Sequence, residues 1–307
     1  MVPSRIWLIF FSTLIALLYK PTRSNNEFLE TSAADQPARI LLLTAHPDDE
    51  CMFFAPTILS LTKQARSASK STSIQKKLDP ESGLVSPVEL FSLCLSIGDA
   101  DGLGEIRKHE LGRSLDVLGV DSNKRWVLDH PNLKDNITTP WNPDIIASAV
   151  KPYVLKYGID TVLTFDYEGI SSHPNHKSLP LGMKHLIAKS QKPPRLFTLI
   201  TLPVMSKYTG ILAPTLAKFD LFAQGAFHHL EHRIIRVLRL FGTDVDLAPA
   251  GVAQSMPVFV AGCQEYLQAL KAMFAHKSQL VWFRWLYVLF SRYMWVNEWV
   301  EWKPEDD

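Results

Sequence analysis

The chain has little cysteine, no excess of charge of either sign and no internal repeat, and each absence removes a class of explanation. Its three cysteines, Cys51, Cys94 and Cys263, are widely spaced in apolar surroundings (ECMFF, SLCLSI, VAGCQEY). An odd number placed this way does not build a disulfide framework, and no CxxC spacing supplies a structural zinc site. A metal ion here would have to be held by histidine and carboxylate. With 32 basic and 31 acidic residues the formal net charge is +1, so no field of one sign points to nucleic acid. No repeat period suggests a solenoid. A hydrophobic content of 47% in 307 residues is enough for the core of one large domain or two small ones.

Long uncharged runs are also scarce. Residues 6–19 form one, IWLIFFSTLIALLY, of a length between a signal-peptide core and a full membrane span. Lys20 and Arg23 follow it, only Arg5 precedes it, and no small-residue cleavage site comes directly after. The expectation is an uncleaved N-terminal membrane anchor over 1–24 and a linker over 25–38, with the body of the chain on the cytosolic side. A cleaved signal peptide is the other reading. It would put the body in an oxidising lumen, where Asn136-Ile137-Thr138 becomes a glycosylation acceptor.

From about residue 39 to 201, short β-rich apolar runs alternate with longer amphipathic ones. The strands are RILLLTA, VELFSLCLSI, RWVLD, DTVLTF and RLFTLIT, and the spacing predicts helices over 51–64, 105–118, 143–157 and 174–189. The second helix carries Leu111, Leu115 and Leu118 on one face and stops at Gly119. This pattern predicts an α/β fold with a Rossmann-like, doubly wound, mostly parallel sheet, in a domain over 39–279. Residues 64–87 are rich in Ser and Lys without sustained periodicity and are expected to form a surface insertion. The aromatic-rich segment 280–307 holds five of the eight tryptophans, with Arg284 and Arg292 interrupting its apolar run. That mixture suits a helix lying at a membrane interface, or else a final helix packed on the domain with its aromatics buried.

Two polar clusters stand at the carboxyl ends of predicted strands, where α/β sheets bind ligands. In His46-Pro47-Asp48-Asp49-Glu50 the chain turns from strand to helix, so His46 and Asp49 can fold toward one point with Asp48 beside them. In SSHPNHKS, Pro174 suits the first position of a helix, and His173 and His176, three apart, share one face. Three adjacent carboxylates repel one another and call for a positive charge. Two imidazoles and a carboxylate make a catalytic zinc site of the His₂-carboxylate kind. Such a site needs three protein ligands, and these clusters offer more, which leaves a pair for proton transfer and charge stabilisation. Glu50 is placed as a first-turn acid at the following helix's positive end.

AHPDDE after the first strand, TFDxxGxSxHxNH after a later one, and the final HKSQLVWFRWLYVLFSRYM together resemble the LmbE/PIG-L family of zinc-dependent de-N-acetylases. MFFAPT and the final stretch look like its eukaryotic branch, which acts on a phosphatidylinositol glycan in the synthesis of glycosylphosphatidylinositol anchors. The resemblance covers about residues 40–294. It implies metal ligands His46, Asp49 and His176, a general base Asp48 and a transition-state role for His173, and all five positions match the family pattern. It also implies polar groups that hold the sugar. Arg107, Asp166 and His276 are the candidates, although Arg107 could instead pair with Glu110 within its helix. The implied cofactor is zinc, with iron able to occupy similar sites. The implied partners are a membrane-embedded glycosylated phosphatidylinositol and the lipid bilayer, and the implied location is the endoplasmic reticulum membrane, facing the cytosol. Two other readings stand beside this one: a deacetylase of a soluble N-acetylglucosaminide, and a non-enzymatic membrane-tethered metal-binding scaffold.

Overall fold

The structure is a computed structural model that describes residues 12, 15–16, 18–24, 36–75, 87–240 and 256–304. Among these residues eight strands form one sheet: β1 (Thr22–Ser24), β2 (Ala38–Thr44), β3 (Val88–Cys94), β4 (Arg125–Val127), β5 (Thr161–Phe165), β6 (Arg195–Leu199), β7 (Val258–Val260) and β8 (Val296–Trp302). Their order is β1-β7-β8-β6-β5-β2-β3-β4. The strands from β2 to β6 are the five expected from the sequence, all parallel. β2 is almost wholly buried, which is why it is a continuous apolar run rather than an alternating one.

After β2 the chain builds outward through β3 and β4, then returns across the sheet to place β5 on the other side of β2. This reversal is a topological switch point, and it opens a crevice at the carboxyl ends of β2 and β5. Both polar clusters leave the sheet there. The helices 143–157 and 174–188 pack together closely, and a Cβ on Gly182 would stand 2.3 Å from the Ile146 side chain. The helices 55–75, 104–118 and 263–273 form a second packed group.

Three parts of the fold differ from the sequence-based expectation. The helix predicted over 51–64 is a single turn, Asp49–Met52, followed by a helix from Ala55 to Gln75. The first part of the expected 64–87 insertion therefore continues the helix, with Gln64 and Ala68 buried, and residues 76–86 lie outside the described residues. The expected anchor also lies largely outside them. Among the described residues no helix is long and apolar enough to cross a membrane. The anchor's last residues form β1, which pairs antiparallel with β7.

The third difference is the aromatic C-terminus, which is not one helix. It divides into a helix, Trp282–Phe290, a short 3₁₀ turn and β8. β8 enters the sheet antiparallel between β6 and β7. Trp299 is fully buried, stacked on Phe54 with ring centroids 5.8 Å apart, and donates Nε1–H to Thr57 Oγ1 (2.9 Å). Asn297, also buried, accepts from Thr57 N–H (3.1 Å) and donates to the Phe53 carbonyl (2.7 Å). It thereby satisfies a donor in the first turn of the 55–75 helix from 240 residues away. Two of the aromatics proposed for a membrane interface, Trp295 and Trp299, are thus core residues, while helix Trp282–Phe290 keeps its outer face exposed. Trp299→Ala is expected to cost about 3–5 kcal/mol in denaturant unfolding. A loss below about 1 kcal/mol would be that of a surface residue.

Candidate active site

The turn after β2 is shaped by its own acids. Asp49 Oδ2 accepts from the backbone N–H groups of Ala45 (3.0 Å) and His46 (2.9 Å). Its other oxygen, Oδ1, faces His176 Nε2 at 3.2 Å. Asp48 lies at φ 104°, in the left-handed region that a non-glycine residue enters only under constraint. Three contacts hold it there: its N–H donates to Glu50 Oε2 (3.0 Å), its Oδ2 accepts from Arg284 Nη2 (2.9 Å), and Arg107 Nη2 donates to the preceding Pro47 carbonyl (2.9 Å). Glu50 is more than a first-turn helix acid. It is completely buried, accepts the Ser114 hydroxyl, and pairs with His276 Nε2 at 2.7 Å.

The second cluster follows β5. Gly169 has φ +63°, and a Cβ there would come within 2.8 Å of His176 Cβ, so the turn can lie against the imidazole only without a side chain. Ile170 and Ser172 also have positive φ. His173 caps helix Pro174–Ala188, accepting Asn175 N–H on Nδ1 (3.2 Å). His176 stacks on Phe165, with ring centroids 4.1 Å apart, and lies 3.1 Å from the Gly169 carbonyl through Nδ1.

Hydrogen-bond partners set the tautomers. A carbonyl can only accept, so His176 carries a proton on Nδ1, while its Nε2 faces Asp49 Oδ1, which raises the imidazole above its ordinary value in spite of burial. His46 Nε2 faces two acceptors, Asp135 Oδ1 (3.2 Å) and Asn175 Oδ1 (3.1 Å), so its lone pair is at Nδ1. That Nδ1 stands 3.3 Å from His176 Nε2. His46 Nδ1, His176 Nε2 and a carboxylate oxygen of Asp49 therefore lie in one buried region, where a cation can take the place of the proton that Asp49 favours on His176 Nε2. Atoms bound to a tetrahedral zinc at about 2.0–2.1 Å stand about 3.3 Å apart, which matches the separations of His176 Nε2 from His46 Nδ1 and from Asp49 Oδ1. The side chains of His46, His173 and His176 also place one ring nitrogen each within 4.8 Å of one another. His173, however, spends Nδ1 as an acceptor, and its Nε2 keeps the proton that a ligand would have to lack. His173 fits a donor instead.

The charges agree with this division. Burial holds the His46 imidazole down to about 4, so it is neutral at physiological pH and open to a cation. Burial opposes ionisation of Asp49, but His176 and His46 override it and keep that carboxyl well below the usual range. Burial raises Asp48 above its ordinary value, with Arg284 and then Arg107 acting against the rise. Asp48 is thus poised as a proton acceptor rather than locked as an anion.

Of the three sugar-contact candidates, two have other partners. His276 is fully buried against Glu50 and does not reach the crevice. Asp166 accepts from Glu168 and Gly169 N–H and from Thr201 N–H and Oγ1–H, so both its oxygens are taken up in shaping the turn before His173. Arg107 does border the site, 3.8 Å from Asp48, but two of its donors serve the Pro47 and Gly98 carbonyls. Its expected partner Glu110 instead accepts from Ser278 (N–H 3.0 Å).

The structure adds Asp135, Asn175 and Arg284. Asp135 orients His46, the role an outer carboxylate plays for a metal-binding histidine. Asn175, wholly buried, joins His46 to the 136–139 loop through Asn136 N–H (3.0 Å) and the Thr139 carbonyl (3.1 Å). Arg284 had one signal in the sequence, since a guanidinium inside an apolar run needs an anion.

Fold and site together define a doubly wound α/β protein whose switch-point crevice can hold a metal ion beside a poised carboxylate. Residues 41–187 match the model of the family described as PIG-L, GlcNAc-PI de-N-acetylase. The chain is 34% identical over 262 residues to the N-acetylglucosaminyl-phosphatidylinositol de-N-acetylase of Bos taurus, covering 85% of this chain and 82% of that one. It is 34% identical over 295 residues to the protein of the same name from Arthroderma benhamiae, covering 85% and 86%. The chain belongs to the PIG-L family and is a de-N-acetylase. Among solved structures, N,N'-diacetylchitobiose deacetylase from Pyrococcus horikoshii aligns over 96% of this chain and 92% of that one, at 16% identity and a TM-score of 0.48.

Arg284 favours the ionised form of Asp48, so Arg284→Met should raise the Asp48 pKa further. At a given acidic pH less base is then ionised, and the acid limb of the kcat/KM profile is expected to move to higher pH. A limb that stays in place would separate the Arg284–Asp48 contact from the reaction.

Proposed function

We propose that the protein hydrolyses the acetamide of N-acetylglucosaminyl-phosphatidylinositol, releasing acetate and glucosaminyl-phosphatidylinositol, an early step of glycosylphosphatidylinositol anchor biosynthesis. The names of the bovine and fungal relatives support the substrate. The observation that carries the chemistry is the place of His176 Nε2, 3.3 Å from His46 Nδ1 and 3.2 Å from Asp49 Oδ1, with Asp48 adjacent in the chain.

His46, Asp49 and His176 would hold one divalent ion, zinc or alternatively iron. When bound, such an ion supplies a Lewis acid and lowers the pKa of water at the site. Asp48 takes the proton of the attacking water as general base, while Arg284 and Arg107 fix its carboxylate and Pro47 holds the turn beneath it. His173 donates Nε2–H to the oxyanion of the tetrahedral intermediate, and Asp48 returns the proton it took from water to the leaving amine. Loss of one such donor typically costs roughly 3–4 kcal/mol of transition-state stabilisation. Asp135, through His46 Nε2, keeps the liganding nitrogen turned inward.

A glycolipid substrate calls for a protein held at a membrane, which accords with an anchor in the uncharged run 6–19, ahead of β1, in the endoplasmic reticulum membrane. A cytosolic orientation has support from the glycosylation acceptor. Asn136 is bonded through its backbone to Asn175 beside His46, so a glycan there would crowd the mouth of the site.

Asp48→Asn is expected to retain bound metal while acetate release falls at least about a hundredfold. His46→Ala should instead lose metal, and chelation of the wild-type protein should abolish turnover. Normal turnover by metal-loaded Asp48→Asn would remove the assigned base, and full metal content in His46→Ala would remove the assigned ligand.

A further inference from the structure

Helix Trp282–Phe290 has two unlike faces. Inward, Arg284 donates to Asp48 Oδ2, the Tyr287 hydroxyl donates to the Met52 carbonyl (3.1 Å), and Val288 is buried. Outward, Trp282 is 75% exposed, and Leu286 and Leu289 are also open to solvent. The outer face continues onto the neighbouring segment. The backbone of Gly210 lies against the Leu289 carbonyl, where a Cβ would stand 2.9 Å away. From there the chain enters helix Ala213–Leu240, whose Phe219 and Phe222 are 70% and 74% exposed at helical spacing. Large apolar side chains exposed on both of these linked segments call for a partner.

Two observations identify that partner as a bilayer. The N-terminal chain, whose residues 6–19 are uncharged, comes off the sheet edge beside this same helix. Lys218 of helix Ala213–Leu240 donates to the Lys20 carbonyl, and Gln264 donates to the Tyr19 hydroxyl (2.8 Å). The second observation is the contact between the patch and the site. In the proposed substrate only the glucosamine and inositol rings separate the acetamide from the lipid phosphate. A catalytic Asp48 must therefore sit close to the headgroup layer, and its partner Arg284 is on the inner face of the exposed aromatic helix.

We propose that the outer face of helix Trp282–Phe290, continued by Phe219 and Phe222, lies in the interfacial layer of a lipid bilayer and sets the crevice at headgroup level. This rests on the glycolipid reading above. Tryptophan and phenylalanine on one side of a short helix suit that layer, where apolar rings enter the acyl boundary and the helix lies in the membrane plane. The Trp282–Phe290 segment is too short to cross.

The test uses the full chain reconstituted in vesicles containing brominated phosphatidylcholine, with the Trp282 signal taken as the difference between wild type and Trp282→Phe. Quenching of that signal is expected. The triple variant F219E/F222E/L289E should lose about tenfold or more in turnover of vesicle-borne glycolipid. On a short-chain, monomerically dispersed form of the same glycolipid its turnover should stay within about twofold of wild type. An unquenched Trp282 overturns the proposal, as does an equal loss on both substrate forms. Cross-linking of Leu289→Cys to a second copy of the chain, without quenching, would assign the face to self-association and also overturn it. A wild-type protein that turns over neither form while Trp282 is still quenched would sink the substrate reading and leave the docking surface standing.

Discussion

The site depends on holding His176 Nε2 in a buried space between two other ligand atoms, 3.3 Å from His46 Nδ1 and 3.2 Å from Asp49 Oδ1. Each is held from behind by a hydrogen bond to its other polar atom. Asp135 and Asn175 take the far nitrogen of His46, the Gly169 carbonyl takes that of His176, and the backbone of Ala45 and His46 takes the second oxygen of Asp49. Turning Asp49 away would take the side-chain acceptor from two backbone N–H groups at once, and leaving a buried donor unsatisfied costs more than the bond itself is worth. The arrangement is thereby organised for a cation in advance, and the positive φ values at Asp48, Ile170 and Ser172 are the backbone strain of that organisation.

A second layer of buried charge supports the first. Glu50 is ionised in spite of burial because His276 and Ser114 satisfy it, and its remaining oxygen holds the strained Asp48 N–H. Residues from the start of the domain and from near its end thus form one polar network around the HPDDE turn. The C-terminal stretch contributes to it three times: His276 beneath Glu50, Arg284 on Asp48, and Asn297 at the first turn of the 55–75 helix. The same stretch presents apolar side chains outward from helix Trp282–Phe290, so the element that contacts Asp48 also carries the exposed face.

The parallel half of the fold was legible because its signals are local. Apolar β-rich runs, glycine stops and Pro174 at a first helical position are properties of adjacent residues, and the strands from β2 to β6 stand where the alternation places them. The antiparallel half was not legible. β1 and β7 are three residues each, too short to show periodicity, and the tryptophans of β8 have the composition of an interfacial helix as much as of a buried strand. Asp166 and His276 were plausible sugar contacts only while their neighbours were unknown. Once Thr201 and Glu50 are in place, both oxygens of Asp166 are taken, and His276 is fully buried with only Nδ1 unpartnered.

By itself the sequence determined the chemistry available: two histidine and acid clusters, each at the end of a parallel strand, with more ligands than one ion needs. Residue identity and spacing suffice for that, because strand ends in a doubly wound sheet converge by topology. Only the tertiary structure decided how the groups divide the work. Which nitrogen of each histidine bears a lone pair, which oxygen of Asp49 is free, and whether Asp48 meets a guanidinium all depend on partners up to 236 residues away. Hydrogen bonds across that separation leave no periodicity in the chain, and they appear only when the sheet brings its ends together.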